Sequence, residues 1–490
     1  MLSLLLFSGP LGLTACSKEA PDTVAIFDAS HMVSQAYWYS RYNFGDFVMR
    51  SGAGEVYDLP QTWIDEMVAM TSDSGSTASP PDKLNMLTRI YTGANPQYAA
   101  AYDGNNRDWT SEAFASPTSD VSLASLGWVG MKESMWARQF HVDAHFGTVG
   151  EGDLPGASMR YFGLVLVVAE LLQLVDYHEN KDLFPTSVSG HYVLMAAVAD
   201  LAVLATADTV PHSATNRHKD ILAFISAEAV PDDFTDAADF LDQLAWELYD
   251  TRPEPTSLRD QAMAIYGLNF FGAYTGGAHA DVSAAIDAYA TALAAETRTT
   301  VEDSALAVTG LTRAWRATGN ADAETAAVAA MDELHTDFDA DNGVWTGTDS
   351  YTADQLGTIF GALNIADLHL AGSDALSIMV PAFENLINIS GFQITAPGVS
   401  SIPSFERLPS ADDVEPMFHR YTTTPEPRGD DAPGANGCAP VYAANVDYLG
   451  DGSWEVQNDW FDAAGAFHLA NEMIWFHNDE IEGYPALLTE

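Results

Sequence analysis

Basic residues are scarce in this chain. Its 490 residues hold 20 Lys and Arg against 69 Asp and Glu, a formal net charge of -49. Only five of the cations are lysines (Lys18, Lys83, Lys132, Lys181 and Lys219), and Asp is about twice as common as Glu. Such a surface repels phosphate backbones and anionic headgroups, so nucleic acid is excluded as a partner. Self-repulsion at this density destabilises a compact state unless salt screens it. The excess reads either as a salt-adapted, halophilic surface or as a field that gathers cations. Cysteine is also scarce, with Cys16 and Cys438 alone. A disulfide framework is thereby excluded, and the core must hold the fold. At 47% hydrophobic residues, the chain has ample material for that core.

Long hydrophobic runs are few. Leu2 to Leu13 is mostly apolar but too short to span a bilayer. It leads into Leu13-Thr14-Ala15-Cys16 and then the polar Ser17-Lys18-Glu19. This resembles a prokaryotic lipobox, in which small residues precede a cysteine that takes lipid and becomes the mature N-terminus. The resemblance implies a signal peptide over 1–15, lipidation at Cys16 and a tether over 16–22. It also implies a membrane-anchored place in the cell envelope, outside the cytoplasm, at the outer membrane or cell surface. No Lys or Arg precedes the apolar stretch, which points to a start upstream of Met1. The alternative is an ordinary leader cut by a general signal peptidase. With Cys16 lipidated, Cys438 in "GANGCAP" is a lone thiol, and nothing around it favours a nucleophile. The other apolar run, "YFGLVLVVAELLQLVDY", is interrupted by Glu170, Gln173 and Asp176 at helical intervals and reads as a buried helix.

Period-two alternation is rare, so sheets should be minor. A region over 23–119 combines helix with loops, such as "DSGSTASPPD" and the irregular stretch 102–120. From 120 onward apolar residues recur three and four apart, split by short Gly, Pro and Asp breaks, which predicts an all-α domain over 120–490. Near 391–456 the pattern fails; "TTTPEPRGDDAPGANGCAP" reads as a long irregular surface excursion. "QNDWFDAAGAFHLANEMIWFHND" then closes the chain as an aromatic-rich helix.

A repeat organises this domain. "DQAMAIYGL" from Asp260, "DSALAVTGL" from Asp303 and "DQLGTIFGA" from Asp354 each carry Asp first, Ile or Val five residues on, and Gly seven on (Gly267, Gly310, Gly361). Each leads through a Gly-bearing break to a second helix, so the unit is a helical hairpin. "DAAGAFHLA" from Asp462 is a weaker copy. Glycine at one repeated mid-helix position calls for close approach of a neighbour. The Gly-bearing helix should therefore be inner and its Ala-, Asp- and Glu-rich partner outer. "LAVTGLTRAWRATGNADAETAAVAAMDELHTDFDADNGVW" resembles the hairpin unit of α/α-toroid proteins, a group that includes N-acylglucosamine epimerases and several glycoside hydrolase and lyase families. The likeness covers roughly 258–390 and, more loosely, 120–250. It implies an α/α toroid, complete or incomplete. No catalytic motif of these families transfers residue by residue, so the saccharide chemistry it implies is an analogy of fold.

Few stretches look like chemistry. "QFHVDAHFG" puts His141 and His145 one turn apart on a helix expected over about 122–146, a spacing that suits two metal nitrogens. Asp143 would face away, and His178 and His191 should lie at the far end of the next hairpin. The stretch is either a metal pair awaiting a third ligand or a polar helix end. His468 and Glu472 share the same spacing, with Trp475 and His477 beyond; they read as a metal or acid/base pair, or as a hydrogen-bonded pair among aromatics. Asp337, Asp339 and Asp341 alternate like the start of a calcium loop, but Asn342 stands where such loops need Gly. A turn between hairpins explains them equally. Divalent metal, Ca²⁺ or Zn²⁺, is the cofactor these patterns allow, and none is required. Asp260, Asp303 and Asp354 at helix starts suit capping. In a closed toroid they would also form an arc around one mouth, perhaps joined by Asp462. Carboxylates near Trp and Tyr in a concave site are what saccharide binding and glycosidic catalysis use. The aromatic run "SQAYWYSRYNFGDF" (34–47) would add stacking surface there or fill the core. Two functions follow: a saccharide binder or processing enzyme at the mouth, or a non-catalytic surface lipoprotein that holds a metal or an envelope partner around a filled centre.

Overall fold

The computed structural model describes residues 54–71, 85–98, 114–115, 119–146, 156–210, 215–277, 280–392, 442–457 and 460–474, with 28–29, 32, 36 and 39–40. The expected leader (1–15) and tether (16–22) with Cys16, and likewise Cys438 and Trp475–His477, lie outside the described residues. So do the side chains of Asp143 and His145 and most of the aromatic run 34–47.

The described chain is mainly α-helical. The helices are α1 (Gln61–Met70), α2 (Leu123–Phe146), α3 (Gly156–Glu179), α4 (Val188–Thr206), α5 (Arg217–Ala229), α6 (Ala237–Asp250) and α7 (Leu258–Tyr274). They continue with α8 (Ala280–Ala295), α9 (Val301–Thr318), α10 (Ala321–Thr336), α11 (Ala353–His369), α12 (Leu376–Phe383) and α13 (Ala463–Ile474). The helix expected over 122–146 is α2.

Helix burial comes in two kinds. In α7 every residue from Gln261 to Phe271 is buried, so the helix is surrounded. Its hairpin partner α8 buries Val282, Ile286, Ala290 and Leu293, a single stripe at helical spacing. The same contrast separates α9 and α11 from α10. Packing follows it. The surrounded helices contact one another in the order α2, α4, α7, α9, α11, α13, and α13 packs back against α2. Outside them α3 lies on α2, α6 on α4, α8 on α7 and α9, α10 on α9, and α12 on α11. Both α3 and α4 are long and apolar enough to cross a bilayer, yet both are mostly buried within this body.

Glycine makes the contacts close. A Cβ on Gly267 would stand 2.4 Å from the Tyr192 carbonyl oxygen of α4, and one on Gly361 would stand 2.8 Å from the Glu472 carboxyl carbon of α13. Contacts rise together along neighbouring helices: Gly190, Gly127 and Gly130 meet Ala124, Leu194 and Ala197, while Gly357 and Gly361 meet His468 and Glu472. The α2–α4 and α11–α13 pairs are therefore parallel.

Strands are short and antiparallel: β1 (Gly54–Asp58), β2 (Asn85–Ile90), β3 (Gly93–Tyr98), β4 (Phe114–Ala115), β5 (Phe338–Asp339), β6 (Val344–Trp345), β7 (Ser350–Thr352), β8 (Asn445–Tyr448), β9 (Trp454–Gln457) and β10 (Phe461–Asp462). They form β1–β2, β10–β3–β4, β5–β6 and β7–β8–β9. Of the irregular excursion expected over 391–456, residues 393–441 lie outside the described residues; of the rest, 445–457 is a hairpin that continues the β7 edge. "NVDY" and "WEVQ" are too short to display alternation, and the turn between them bends at Gly450 and Gly452, both at positive φ. The strands β7 and β10 run directly into α11 and α13, so the small sheets gather where inner helices begin.

Candidate functional site

Each surrounded helix starts on a side-chain oxygen that accepts from its first-turn backbone. Ser125 N donates to Ser122 Oγ (3.0 Å), Gly190 N to Ser187 Oγ (3.1 Å) and Asp260 N to Ser257 Oγ (3.1 Å). Asp303 N donates to Thr300 Oγ1 (3.1 Å), Gln355 N to Thr352 Oγ1 (3.2 Å) and Gly465 N to Asp462 Oδ2 (2.7 Å). Counting from these caps sets the register. Asp260 and Asp303 are third in their helices, and Asp354 is second. The residues equivalent to Asp354 are Arg259 and Glu302.

Those three second-position side chains meet. The Arg259 guanidinium donates from Nη1 to Asp354 Oδ2 (2.7 Å) and from Nη2 to Glu302. Gln355 Nε2 donates to the other Glu302 oxygen at 3.0 Å. On its far side Asp354 Oδ1 pairs with His468 Nδ1 at 2.8 Å. The Arg259, Glu302 and Asp354 side chains retain 31%, 21% and 30% exposure, so the cluster faces an opening, whereas His468 keeps 4%. Burial by itself would raise the Asp354 carboxyl. The bonds and charges of His468 and Arg259 outweigh it and hold it down at about 2. Asp462 moves the other way, raised chiefly by burial and further by the Asp354 charge. Two neighbouring carboxyls with separated pKa values can work as an acid and a base.

Beneath the cluster the space is occupied. Trp128 stacks on His468 with centroids 4.0 Å apart and planes at 11°. Tyr266 lies tilted at 5.4 Å from Trp128, and the Arg313 guanidinium sits 4.6 Å over the Tyr266 ring. Glu472, one turn below His468, is raised by burial, which Arg313 and then His468 oppose. All five side chains are buried. Gly357 and Gly361 leave room for His468 and Glu472, whose atoms would lie 2.8 Å from added Cβ atoms.

The remaining candidates disperse. Asp303 closes a capping box: its Oδ2 accepts from Thr299 N (2.9 Å) and Thr300 N (3.0 Å). Burial opposes but does not cancel the downward pull of these bonds on its pKa. Asp260 has only Thr256 Oγ1 at 3.5 Å. Asp339 organises a turn, accepting from Asp341 N (3.1 Å) and Asn342 Nδ2 (2.7 Å). Asp337 and Asp341 are exposed beside it. His141 faces His218 of α5, with ring centroids 6.1 Å apart. His218 was not legible as a neighbour; burial, then His141 and Arg138, push it down to about 3. Among the described residues no group of three His, Cys, Asp or Glu side chains is placed to hold a metal.

Sequence reading missed Arg259, Glu302, Trp128 and Arg313. A signal for the first two existed in Ser257, Thr300 and Thr352, which fix the helix starts. Comparison with family models, with curated proteins and with solved structures finds no match to this chain.

Proposed function

We propose that the chain is an exported, lipid-anchored envelope protein, built as an α/α toroid, that binds saccharide where the inner helices begin. The cyclic packing order of α2, α4, α7, α9, α11 and α13 supports the toroid. The lipobox-like segment ending in Cys16 supports the anchor, and the acidic surface supports a saline exterior. One observation carries the binding site: Asp354 is held ionised between Arg259 and His468 at a partly open cluster, directly above Trp128 and Tyr266. Planar charged groups that fix hydroxyls are common in saccharide recognition; the Trp128 and Tyr266 faces are covered by His468 and Arg313 and hold the cluster in place from below.

The test is a thermal-shift panel on residues 17–490 in high salt, with oligosaccharides, divalent cations and a chelator in parallel. A saccharide should raise the melting temperature, and Asp354→Asn should abolish that shift without lowering the baseline transition by more than a few degrees. Product analysis on the stabilising saccharide then separates a binder from an enzyme. Stabilisation that survives Asp354→Asn sinks the assignment of this site. For the anchor, detergent phase partition of full-length chain against Cys16→Ser should move the protein from the detergent to the aqueous phase.

The occupied centre favours a second reading, a non-catalytic lipoprotein with a metal or envelope partner. A response to cation or chelator alone would select it.

A further inference from the structure

A second concavity lies outside the inner series, between α9, α10 and the turn after β6. It encloses about 350 Å³. Such a space is at the small end of ligand pockets and suits one sugar ring with a little water. Val301 and Leu334 give it apolar floor, and Trp345 a fixed wall. The Trp345 indole is 2% exposed and pinned by its Nε1 donating to the Leu334 carbonyl at 2.9 Å. Facing these are Asp337, Thr346 and Thr348. No hydrogen bond occupies their side chains among the described residues, although their backbones are engaged: Thr346 N donates to Asp337 O (2.7 Å) and Thr348 N to Trp345 O (3.0 Å).

The chemistry of the walls narrows the occupant. The one guanidinium, Arg298, is consumed by both Glu333 oxygens at 2.6 Å each. Ser304 Oγ donates to the same carboxylate at 3.0 Å. With Arg298 neutralised, Asp337 leaves the pocket one negative charge, which disfavours phosphorylated or carboxylated ligands. A bound cation is equally poorly served. Glu333 is already engaged and Asp337 is a single carboxylate, far short of the six to eight oxygens that calcium takes. A purely apolar ligand would find little apolar surface, since Leu334 and Trp345 are 1% and 2% exposed. A neutral polyhydroxylated ring suits these groups: its hydroxyls donate to Asp337 and exchange bonds with the two threonines, and its small C–H surface needs only the half-buried Val301.

We infer that this pocket is an accessory subsite for one neutral sugar ring, separate from the Arg259–Asp354 cluster. It gives Asp337 a role in place of the calcium ligand suggested by its spacing. The inference stands whether or not the cluster on the inner helices binds saccharide. The test is saturation-transfer NMR and isothermal titration of D-glucose and maltose against the full chain in high salt. Millimolar binding is expected. Asp337→Ala combined with Thr348→Val should weaken it about tenfold, the loss of roughly one well-made hydrogen bond. The same loss is expected when the pocket changes are made on an Asp354→Asn background, which removes any contribution of the cluster on the inner helices. Far-UV circular dichroism melts confirm that the double variant folds; a Thr346→Val single variant, with a smaller loss, serves if it does not. Binding unaffected by the pocket variants, in the wild-type and in the Asp354→Asn background alike, overturns the inference. So does the absence of any transfer from either sugar.

Discussion

Two sets of carboxyl groups in this molecule behave in opposite ways. Asp354, where α11 begins, is partly open and flanked by Arg259 and His468, and its pKa is held at about 2. Glu133 and Glu170, at the α2–α3 interface, are fully buried and pushed well above the ordinary carboxyl range, both chiefly by burial and Glu170 also by the Glu133 charge. Gln173 Nε2 donates to Glu133 Oε1 at 2.9 Å and Ser134 Oγ to Glu170 Oε2 at 2.5 Å. The second oxygen of each has no hydrogen-bond partner among the described residues. Directly bonded Arg259 and His468 keep the first group charged; in the second, burial outweighs the pull that Arg138 exerts on Glu170 and favours a proton. In a chain so rich in acid, the difference shows where charge is tolerated: at helix starts, where caps and Arg259 meet it, and not between helix layers.

The sharpest way to break the comparison is to unpair a buried charge. Arg138 of α2 donates from Nη2 to Asp200 Oδ1 of α4 at 2.8 Å, with side-chain exposures of 9% and 7%. Asp200→Ala strands the guanidinium in the core and should cost about 3–5 kcal/mol in chemical denaturation. Arg138→Met with Asp200→Leu should recover most of that. At the helix starts, Glu302→Ala removes a carboxylate from a partly exposed pair and should cost no more than about 1 kcal/mol. Equal losses at both places would erase the distinction. Gly267→Ala comes next. The new methyl group would sit 2.4 Å from the Tyr192 carbonyl oxygen, which is backbone and cannot step aside. Overpacking of about 1–3 kcal/mol is expected in the same assay. A neutral result would mean that α4 and α7 are not locked backbone to backbone.

Much of the fold was legible because the repeat encodes it. Gly267, Gly310 and Gly361 marked the crowded helices, and Ala-, Asp- and Glu-rich composition marked their outer partners, of which α8 buries only the stripe Val282–Ile286–Ala290–Leu293. The long-range helix partners were not legible. The contact of α13 with α2, and so Trp128 on His468, joins residues far apart in the chain, and no local period reports it. At the cluster, Asp354 was among the residues singled out, while its partners Arg259 and Glu302 were not. Alignment on Asp and Gly placed Asp354 in register with Asp260 and Asp303, whereas the caps shift it by one residue, and one residue turns a helix by about 100°. The short strands β8 and β9 escaped for want of length.

The pH dependence sharpens the same contrast at lower amplitude. A depressed carboxyl such as Asp354 adds stability above the ordinary carboxyl range, and that stability is lost as pH falls toward about 2. Asp354→Asn should therefore remove no more than about 2 kcal/mol near neutral pH and flatten the acid limb of the stability profile. Raised carboxyls work in reverse: Glu133 and Glu170 add their full share below the ordinary range and lose it as pH rises. Glu170→Gln, which keeps the shape without the titration, should extend stability on the alkaline side. Acid and alkaline limbs that do not respond separately to the two variants would contradict the assignment.

The smallest effect isolates capping from ligand binding. Thr300 accepts from Asp303 N at 3.1 Å, and the Asp303 carboxylate returns a bond to Thr300 N at 3.0 Å. Thr300→Ala should cost about 1 kcal/mol, the ordinary worth of a helix cap, and Asp303→Ala about the same or less. Because both serve one reciprocal box, the double variant should lose less than the sum of the singles. High salt should change the Thr300 loss little, since a neutral hydroxyl bond is not screened, but should reduce the Asp303 loss, which includes attraction to the helix N-terminus. If the Asp303 loss grew with added saccharide while the Thr300 loss did not, Asp303 would belong with Asp354 at the binding cluster and not with the caps.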